Sequence, residues 1–330
     1  MFMSKKVRRI GVMTSGGDSP GMNAAIRAVV RTCAYYHTEC VGYYQGFQGM
    51  INGDFTKLNA RSVRNTVNQG GTILQSARSK EFLTKEGRAK AAQNLKEAEV
   101  DAMVLIGGDG TFRGGQIFSK EHGIPVIGVP GTIDNDIYGT HYTIGYDTAL
   151  NTVVEAIDKI RDTASSHNRL FFVEVMGRDA GFIALNSGIG AGAEEILIPE
   201  EDLGLERLLD SLERSRRAGK TSSIVVVSEG DKIGKNVFEL AEYVKKNLPY
   251  YDARVTVLGH IQRGGRPTCF DRVLASRLSV KAVELLLDGK KDLMVGMLNN
   301  EIESCSLDQA LKGKHNINKD LLRISEILST

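Results

Sequence analysis

Apolar positions in this chain follow two rhythms that take turns from one end to the other. Short unbroken runs predict strands over Val7 to Met13, Cys40 to Tyr44, Val104 to Ile106, Pro125 to Val129, Leu170 to Val175, Glu195 to Ile198, Ser223 to Ser228 and Arg254 to Leu258. Continuous apolar character, as opposed to alternation, belongs to strands covered on both faces, as in a parallel sheet. Between these runs the apolar residues recur every three or four positions, which predicts helices. One such stripe is Ile26, Val29, Val30 and Cys33; another, from Asp147 onward, is Leu150, Val153, Val154, Ile157 and Ile160. Helices are also expected over Glu86 to Glu97, Thr111 to Glu121, Glu206 to Ala218, Asn236 to Asn247 and Phe270 to Leu287, with one opened by Met176 to Gly181 and a short one over Arg61 to Asn68. Strand followed by helix, repeated, is the pattern of an α/β fold with mainly parallel sheets. A length of 330 residues suits roughly two domains, and the long helix from Asp147 is where the chain would cross into the second.

The loops that follow the strands carry the chemistry. Val104-Leu-Ile-Gly-Gly-Asp-Gly-Thr-Phe112 breaks at Gly107 and Gly108 and then presents one carboxylate, Asp109. Glycines let a backbone approach a bulky anion, and successive N–H groups in such a turn form an anion nest. A carboxylate beside a polyphosphate is most simply a Mg²⁺ ligand, since Mg²⁺ takes one or two carboxylates plus phosphate oxygens. An ordinary strand-to-helix turn fits the same residues. The first strand ends in Thr14-Ser-Gly-Gly-Asp-Ser-Pro-Gly21 and runs at once into a helix, where the dipole favours phosphate. No Gly-Lys-Ser/Thr follows, so this is not a P-loop, and backbone amides near Gly17 would do the cradling. Gly70 to Arg78 is a further glycine-opened segment, with Arg78 facing either phosphates or solvent.

A second loaded loop, Pro130-Gly-Thr-Ile-Asp-Asn-Asp-Ile137, places Asp134 and Asp136 two apart after a strand. In extended geometry they would point to opposite sides, one at a reacting centre and one supporting the loop or metal; an Asx-rich turn is the bland alternative. Later in the chain, Glu229 follows one strand and Gly259-His-Ile-Gln-Arg-Gly-Gly-Arg-Pro267 follows another. There His260 and Arg263 suit a phosphate monoester, with arginine supplying bidentate contacts.

Composition narrows this picture a little. The chain is 42% apolar and 25% charged, and 42 basic against 40 acidic residues leave a net charge of +2. That balance gives no bulk attraction to nucleic acid or membrane. Cys33, Cys40, Cys269 and Cys305 have no C-x-x-C spacing, so free thiols are expected in place of a zinc site or disulfide framework. Met1 to Arg9 leads straight into the first strand without an apolar signal region, and no run approaches the ~20 residues that span a bilayer. A soluble, cytoplasmic protein is expected.

Five motifs in order, Thr14-Ser-Gly-Gly-Asp18, Gly107-Gly-Asp-Gly-Thr111, Pro130 to Asp136, Val175-Met-Gly-Arg178 and Gly259 to Gly265, give the chain a clear likeness. It resembles the bacterial ATP-dependent 6-phosphofructokinases (the phosphofructokinase A family), tetrameric glycolytic enzymes that phosphorylate fructose 6-phosphate. The match runs nearly end to end. It implies two doubly wound, Rossmann-like lobes with the active site in the cleft between them: an ATP-binding lobe of residues 1–144 plus 262–311, and a smaller fructose 6-phosphate lobe of 145–261 plus 312–330.

Carried over position by position, the resemblance puts Gly17, Arg78, Ser79, Gly108, Asp109, Gly110 and Thr111 at ATP, with Mg²⁺ on Asp109. Asp134 would be the base for the sugar's 1-hydroxyl, with Thr132 and Arg178 steadying the transferred phosphoryl group and Asp136 supporting them. Thr132, Ile133, Asp134, Met176, Gly177, Arg178, Glu229, Ile261 and Gln262 would line the sugar, and Arg169, Arg254, His260 and Arg263 would grip its 6-phosphate. In the family, Arg169 and Arg254 reach in from a neighbouring subunit, so the active site would exist only in an oligomer, a homotetramer by resemblance. Pyrophosphate-dependent relatives carry an aspartate at the position of Gly110 and a lysine at that of Gly131; both glycines here point to ATP. The family's effector site for ADP or phosphoenolpyruvate would use Arg27, Arg31, Arg161, Gly192, Glu194 and Lys220, of which Arg27 and Arg31 could also be a solvated basic face. Asp54 and Ala218 stand where better-known members carry an arginine and a lysine, which implies an altered or weakened response, with Arg216 and Arg217 available to compensate for Ala218. The competing readings are a pyrophosphate-dependent phosphofructokinase and a non-catalytic, sugar-phosphate-sensing regulatory subunit. NAD kinases and lipid kinases share Gly-Gly-Asp-Gly-Thr but lack the second aspartate loop.

Overall fold

The computed structural model describes residues 7–166, 169–201, 204–220, 222–233 and 236–328. Met1 to Lys6, the start of the segment expected to run straight into the first strand, lie outside the described residues, as do the last two residues of the expected smaller lobe. The strands are β1 (Arg9–Thr14), β2 (Glu39–Tyr43), β3 (Phe55–Leu58), β4 (Ala102–Gly107), β5 (Val126–Pro130), β6 (Arg169–Val175), β7 (Glu195–Leu197), β8 (Ser223–Ser228), β9 (Asp252–Val257), β10 (Leu293–Leu298) and β11 (Glu301–Ser306). The helices are α1 (Met22–Tyr35), α2 (Phe47–Asn52), α3 (Lys85–Glu97), α4 (Asp109–His122), α5 (Tyr146–Ser165), α6 (Phe182–Gly190), α7 (Leu205–Arg217), α8 (Val237–Asn247), α9 (Cys269–Leu287), α10 (Leu307–Lys312) and α11 (Lys319–Leu328). Among the described residues no helix is long and apolar enough to cross a membrane.

The chain divides into two compact units. One holds the chain up to Thr132, then Ile137–Thr148 and Arg263–His315; the other holds Ile133–Asp136, Ala149–Gln262 and the segment from Asn316 on. The first unit is built on a seven-stranded sheet in the order β11-β10-β5-β4-β1-β2-β3. Its five inner strands are parallel, and β3 and β11 pair antiparallel at the two edges. In the second unit β7-β8-β6-β9 are all parallel. Both are doubly wound α/β sheets of mainly parallel strands.

The unbroken apolar runs are explained by what covers them. Successive residues of a strand face opposite sides, and in β4 Val104 and Ile106 join the core under α1 and α9, while Met103 and Leu105 join the core under α2, α3 and α4. With helices on both faces, neither parity can be polar. The second unit repeats this with Leu170, Phe172, Val225 and Val227 packed beneath α7 and α8.

In the first unit the chain leaves β1 for β2 on one side and leaves β4 for β5 on the other, so the carboxyl ends of β1 and β4 form a topological switch point, where such sheets bind ligands. Thr14 pairs with Ile106 and Gly107 with Pro130, so β1, β4 and β5 end nearly level.

Two expectations are corrected. Arg61 to Asn68 is a chain of turns, not a helix. The Asn59 side chain accepts from Arg61 N and Ser62 N, and Asn65 has φ 61°, so local side-chain bonding and a left-handed residue displace the helical ladder. The loop between β5 and α5 is not extended through its two aspartates, because Asn135 between them has φ 54° and breaks the alternation of faces. The sequence reading also missed the β10–β11 hairpin, whose Asn299 and Asn300 both have positive φ, as a tight type I′ turn requires.

Asp271, in the first turn of α9, is fully buried and receives hydrogen bonds from Gly145 N (2.9 Å), Thr148 N (2.8 Å) and Thr148 Oγ1 at the start of α5. Burial pushes its carboxyl up to about 6 against the pull of those donors. Because the native pKa lies above the unfolded one, its contribution to stability is fully present below the unfolded value and is lost as pH rises through about 6. Relative to Asp271→Asn, the chain is therefore expected to gain about 2 kcal/mol as pH falls from 7 to 4, measured by denaturant unfolding at a series of pH values.

Candidate active site

Three loops meet at the carboxyl ends of β1, β4 and β5. Ser15 N donates to Ile106 O (3.0 Å), Thr111 Oγ1 donates to Ser15 O (3.2 Å), and Gly131 N donates to Gly107 O (3.0 Å). Gly107 sits where they cross, since a Cβ there would lie 2.4 Å from both Ser15 O and Thr111 Oγ1. The Gly70–Arg78 segment closes over the first loop: Thr14 Oγ1 lies 2.8 Å from Thr72 Oγ1 and donates to Gln75 O, and Ser76 Oγ donates to Gly16 O (2.9 Å). This brings Gly17, Arg78, Gly108, Asp109, Gly110 and Thr111 together within the first unit, with Asp109 and Gly110 exposed in the first turn of α4. One carboxylate at a helix N-terminus beside glycine-lined loops suits a Mg²⁺ that draws its other ligands from phosphate and water. Among the described residues no cluster of three or more His, Cys, Asp or Glu forms a protein cage for a metal.

The glycines differ in what they are for. A side chain at Gly110 would meet nothing within 4 Å, so the protein's own packing does not demand glycine there. At Gly131 a Cβ would lie 3.2 Å from Ile106 and 3.3 Å from Met22, so that glycine answers first to packing. A methyl group on Gly17 would fall 1.8 Å from Arg263 Nη1, which places the Arg263 guanidinium against the first loop of its own unit. Ser79 is committed within the chain: its hydroxyl donates to Gln48 Oε1 and receives Phe82 N.

The second unit gathers another set at the carboxyl ends of β6, β8 and β9. Gly177 has φ 146° and Arg178 φ 53°. A non-glycine residue held there stores of order 1–3 kcal/mol of strain, a feature of sites where direction matters. Arg178 N donates to Glu229 Oε1 (2.9 Å), which fixes the turn, and Arg178 Nε lies 3.7 Å from Asp134 Oδ2. The partners are unequally placed: the Asp134 side chain is 5% exposed and that of Arg178 61%. Asp136 is half-buried, Ile133 is buried, Met176 is buried, and His260 and Ile261 are exposed. Nearby Glu174 is pushed up by burial first and by the Glu229 carboxylate second.

Gln262 was expected to line the sugar, but it is fully buried, receiving Met176 N (3.1 Å) and donating to Gly259 O (3.0 Å). It ties the Met176–Arg178 turn to the Gly259–Arg263 turn. The structure does not bring Arg169 and Arg254 to this end of the sheet. Both bond to Asp252, and their positions along β6 and β9 set them roughly 16–23 Å back along the strands from Met176.

The effector candidates form two groups. Arg27 and Arg31 are neighbours on α1; burial, then the Arg31 charge, lowers the Arg27 pKa. In the second unit Arg161 donates to the carbonyls of Ala191 and Gly192 and lies 3.7 Å from Glu194, which itself accepts from Ile224 N. Lys220 N donates to Ser215 O at the end of α7. Arg216 covers the Tyr250 ring at 3.8 Å and Arg217 pairs with Glu213, so both compensating cations are already engaged. Asp54 is exposed.

Fold and site together define a doubly wound α/β protein of the kind that holds phosphorylated ligands at helix N-termini and strand ends. The phosphofructokinase family model matches residues 9–286, and the chain belongs to that family. It is 55% identical to the ATP-dependent 6-phosphofructokinase 1 of Thermus thermophilus and 53% identical to the ATP-dependent 6-phosphofructokinase of Halalkalibacterium halodurans, in each case over 98% of this chain and 100% of the relative. The structure is similar to that of phosphofructokinase from Saccharomyces cerevisiae, with a TM-score of 0.87 at 35% identity over 98% of this chain, which spans 47% of the yeast chain.

Replacing Gln262 by leucine strands Met176 N and Gly259 O in a buried setting. An unsatisfied buried group costs ~1–3 kcal/mol, and that loss is expected for Gln262→Leu in denaturant unfolding.

Proposed function

We infer that this chain transfers the γ-phosphoryl group of Mg-ATP to the 1-hydroxyl of fructose 6-phosphate, giving fructose 1,6-bisphosphate and ADP. The observation that carries the residue-level reading is the buried Asp134 carboxylate with the exposed Arg178 guanidinium 3.7 Å away. Asp134 takes the proton of the 1-hydroxyl as that oxygen attacks the γ-phosphorus and the bond to the β–γ bridging oxygen breaks, releasing ADP. Arg178 balances the charge on the equatorial oxygens, which is the main demand of phosphoryl transfer, Thr132 steadies the transferred group as an uncharged hydrogen-bond donor, and Asp136 supports the loop. Bound at Asp109, Mg²⁺ supplies positive charge to the donor phosphates. Gly17, Arg78 and Gly108 to Thr111 hold ATP, and Ser79 orders the segment beside Arg78 through its cap on Phe82 N.

Met176, Gly177, Arg178 and Glu229 face the sugar; Ile133 contributes backbone only, with Ile261 at the rim. His260 and Arg263 take the 6-phosphate. Arg169 and Arg254, held by Asp252 far back along their strands, serve the site of a neighbouring subunit, which makes the working enzyme an oligomer, a homotetramer by resemblance. We assign residues 1–144 plus 262–311 to the ATP lobe and 145–261 plus 312–330 to the sugar lobe. Arg27, Arg31, Arg161, Gly192, Glu194 and Lys220 form the effector site for ADP or phosphoenolpyruvate. Asp54 opposes an anion there, and the engaged Arg216 and Arg217 do not replace the cation missing at Ala218, so the response is weakened. The enzyme works in the cytoplasm.

Asp134→Ser is expected to lower kcat by at least ~10²-fold while changing sugar binding much less, read by coupled ADP release and by fructose 6-phosphate titration. Unchanged turnover would remove Asp134 from its role. Gly110→Asp, whose side chain meets open space in the protein, is expected to leave stability intact and to raise KM for ATP by ~10-fold, equivalent to about 1.4 kcal/mol of repulsion from the donor phosphates.

A further inference from the structure

The start of α5 and the start of α9 are tied by hydrogen bonds that run through Thr268, Thr148 and Asp271. Thr268, the N-cap of α9, receives Asp271 N at its Oγ1 (3.2 Å) and passes its own hydroxyl proton to Asp147 Oδ2 (2.6 Å). Thr268 N donates to Thr148 Oγ1 (3.0 Å), and Thr148 Oγ1 donates on to Asp271. Asp271 also takes the two backbone N–H groups at the start of α5, those of Gly145 and Thr148. A buried carboxylate with this many donors is a fixed point in the first unit.

From that point the contacts lead to the loop that carries the chemistry. Gly145 is held by Asp271 and has φ 102°. The two residues before it grip the strand end from outside: Ile144 N donates to Pro130 O (3.0 Å), Ile144 is bridged to Gly131, and Thr143 Oγ1 donates to Thr132 O (2.6 Å). Thr132 is followed in the chain by Ile133 and Asp134. We propose that Asp271 is a positioning residue for phosphoryl transfer: by fixing Gly145 it holds Thr143 and Ile144 against Pro130–Thr132, and so sets where Thr132 and Asp134 stand. The nucleotide loops do not depend on it, since they are held by Ser15, Ile106, Thr111 and the Gly70–Arg78 segment.

This inference rests on the reading of Thr132 and Asp134 given above, and its test separates the two. Asp271→Asn keeps one carbonyl oxygen for Gly145 N and loses the acceptor for Thr148 N; Asp271→Ala loses both. The expected result is a graded fall in kcat, ~10-fold for Asn and more for Ala, with ATP affinity, measured by calorimetry, changed less than about twofold. Thr143→Val removes the far end of the same path without touching Asp271, and is expected to lower kcat by ~10-fold. The double variant Asp271→Asn, Thr143→Val is then expected to be no slower than the worse single variant, because both cut one path.

Full turnover in a folded Asp271→Asn protein, an equal loss of ATP binding, or multiplication of the two single effects in the double variant would each overturn the proposal. If the Asp271 variants do not fold, Thr143→Val decides with Thr148→Val, which removes the hydroxyl link: full turnover in both overturns it, and loss of kcat with ATP binding retained supports it. Retained turnover in Asp134→Ser would count against the base assignment instead, leaving the Asp271–Thr143 cycle to be read through Thr132.

Discussion

Everything at the carboxyl ends of β1, β4 and β5 depends on how closely three pieces of backbone can approach one another at Gly107. Ser15 O and Thr111 Oγ1 occupy the space a side chain there would need, and Gly131 N reaches the Gly107 carbonyl. Parallel strands already deliver their carboxyl ends to one edge of the sheet, and a residue without Cβ at the central one lets the loops beyond them interlock. The N–H groups of those loops and of the α4 N-terminus are then held in place before any ligand arrives, which is what electrostatic preorganisation requires.

The second unit uses a different device. There the backbone is bent at Gly177 and Arg178 into the positive-φ region and held by Glu229, while the Gln262 amide joins that turn to the next. A strained turn persists only when its surroundings over-determine it, and here the exposed Glu229 and the buried Gln262 do so. The result is a guanidinium that is exposed to solvent and fixed at its backbone, facing a carboxylate in the opposite condition.

Buried carboxylates divide the labour between architecture and chemistry. Asp271 is enclosed by donors from two helix starts and has no opening toward a ligand. Asp134 is nearly as buried, yet it is met by a solvent-facing arginine. The same residue type thus serves as a structural clamp in one place and as the candidate base in another, and the difference lies wholly in the neighbours.

The sequence alone determined the α/β class, the alternation of elements and the loops that matter, because periodicity reports which faces of an element are covered, and glycines and aspartates after strands report unusual backbone and charge. It also ordered the motifs that identify the family. It misread Arg61 to Asn68, where side chain to backbone bonds at Asn59 outcompeted a helix, and the pointing of Asp134 and Asp136, where one left-handed asparagine reset the faces. It could not separate Gly110, which nothing in the protein requires, from Gly131, which packing requires, nor distinguish a ligand-facing Gln262 from a buried tie, nor single out Asp271 at all. These depend on contacts between residues as far apart as Met176 and Gln262 or Gly145 and Asp271, and only the folded chain brings such pairs within hydrogen-bonding distance.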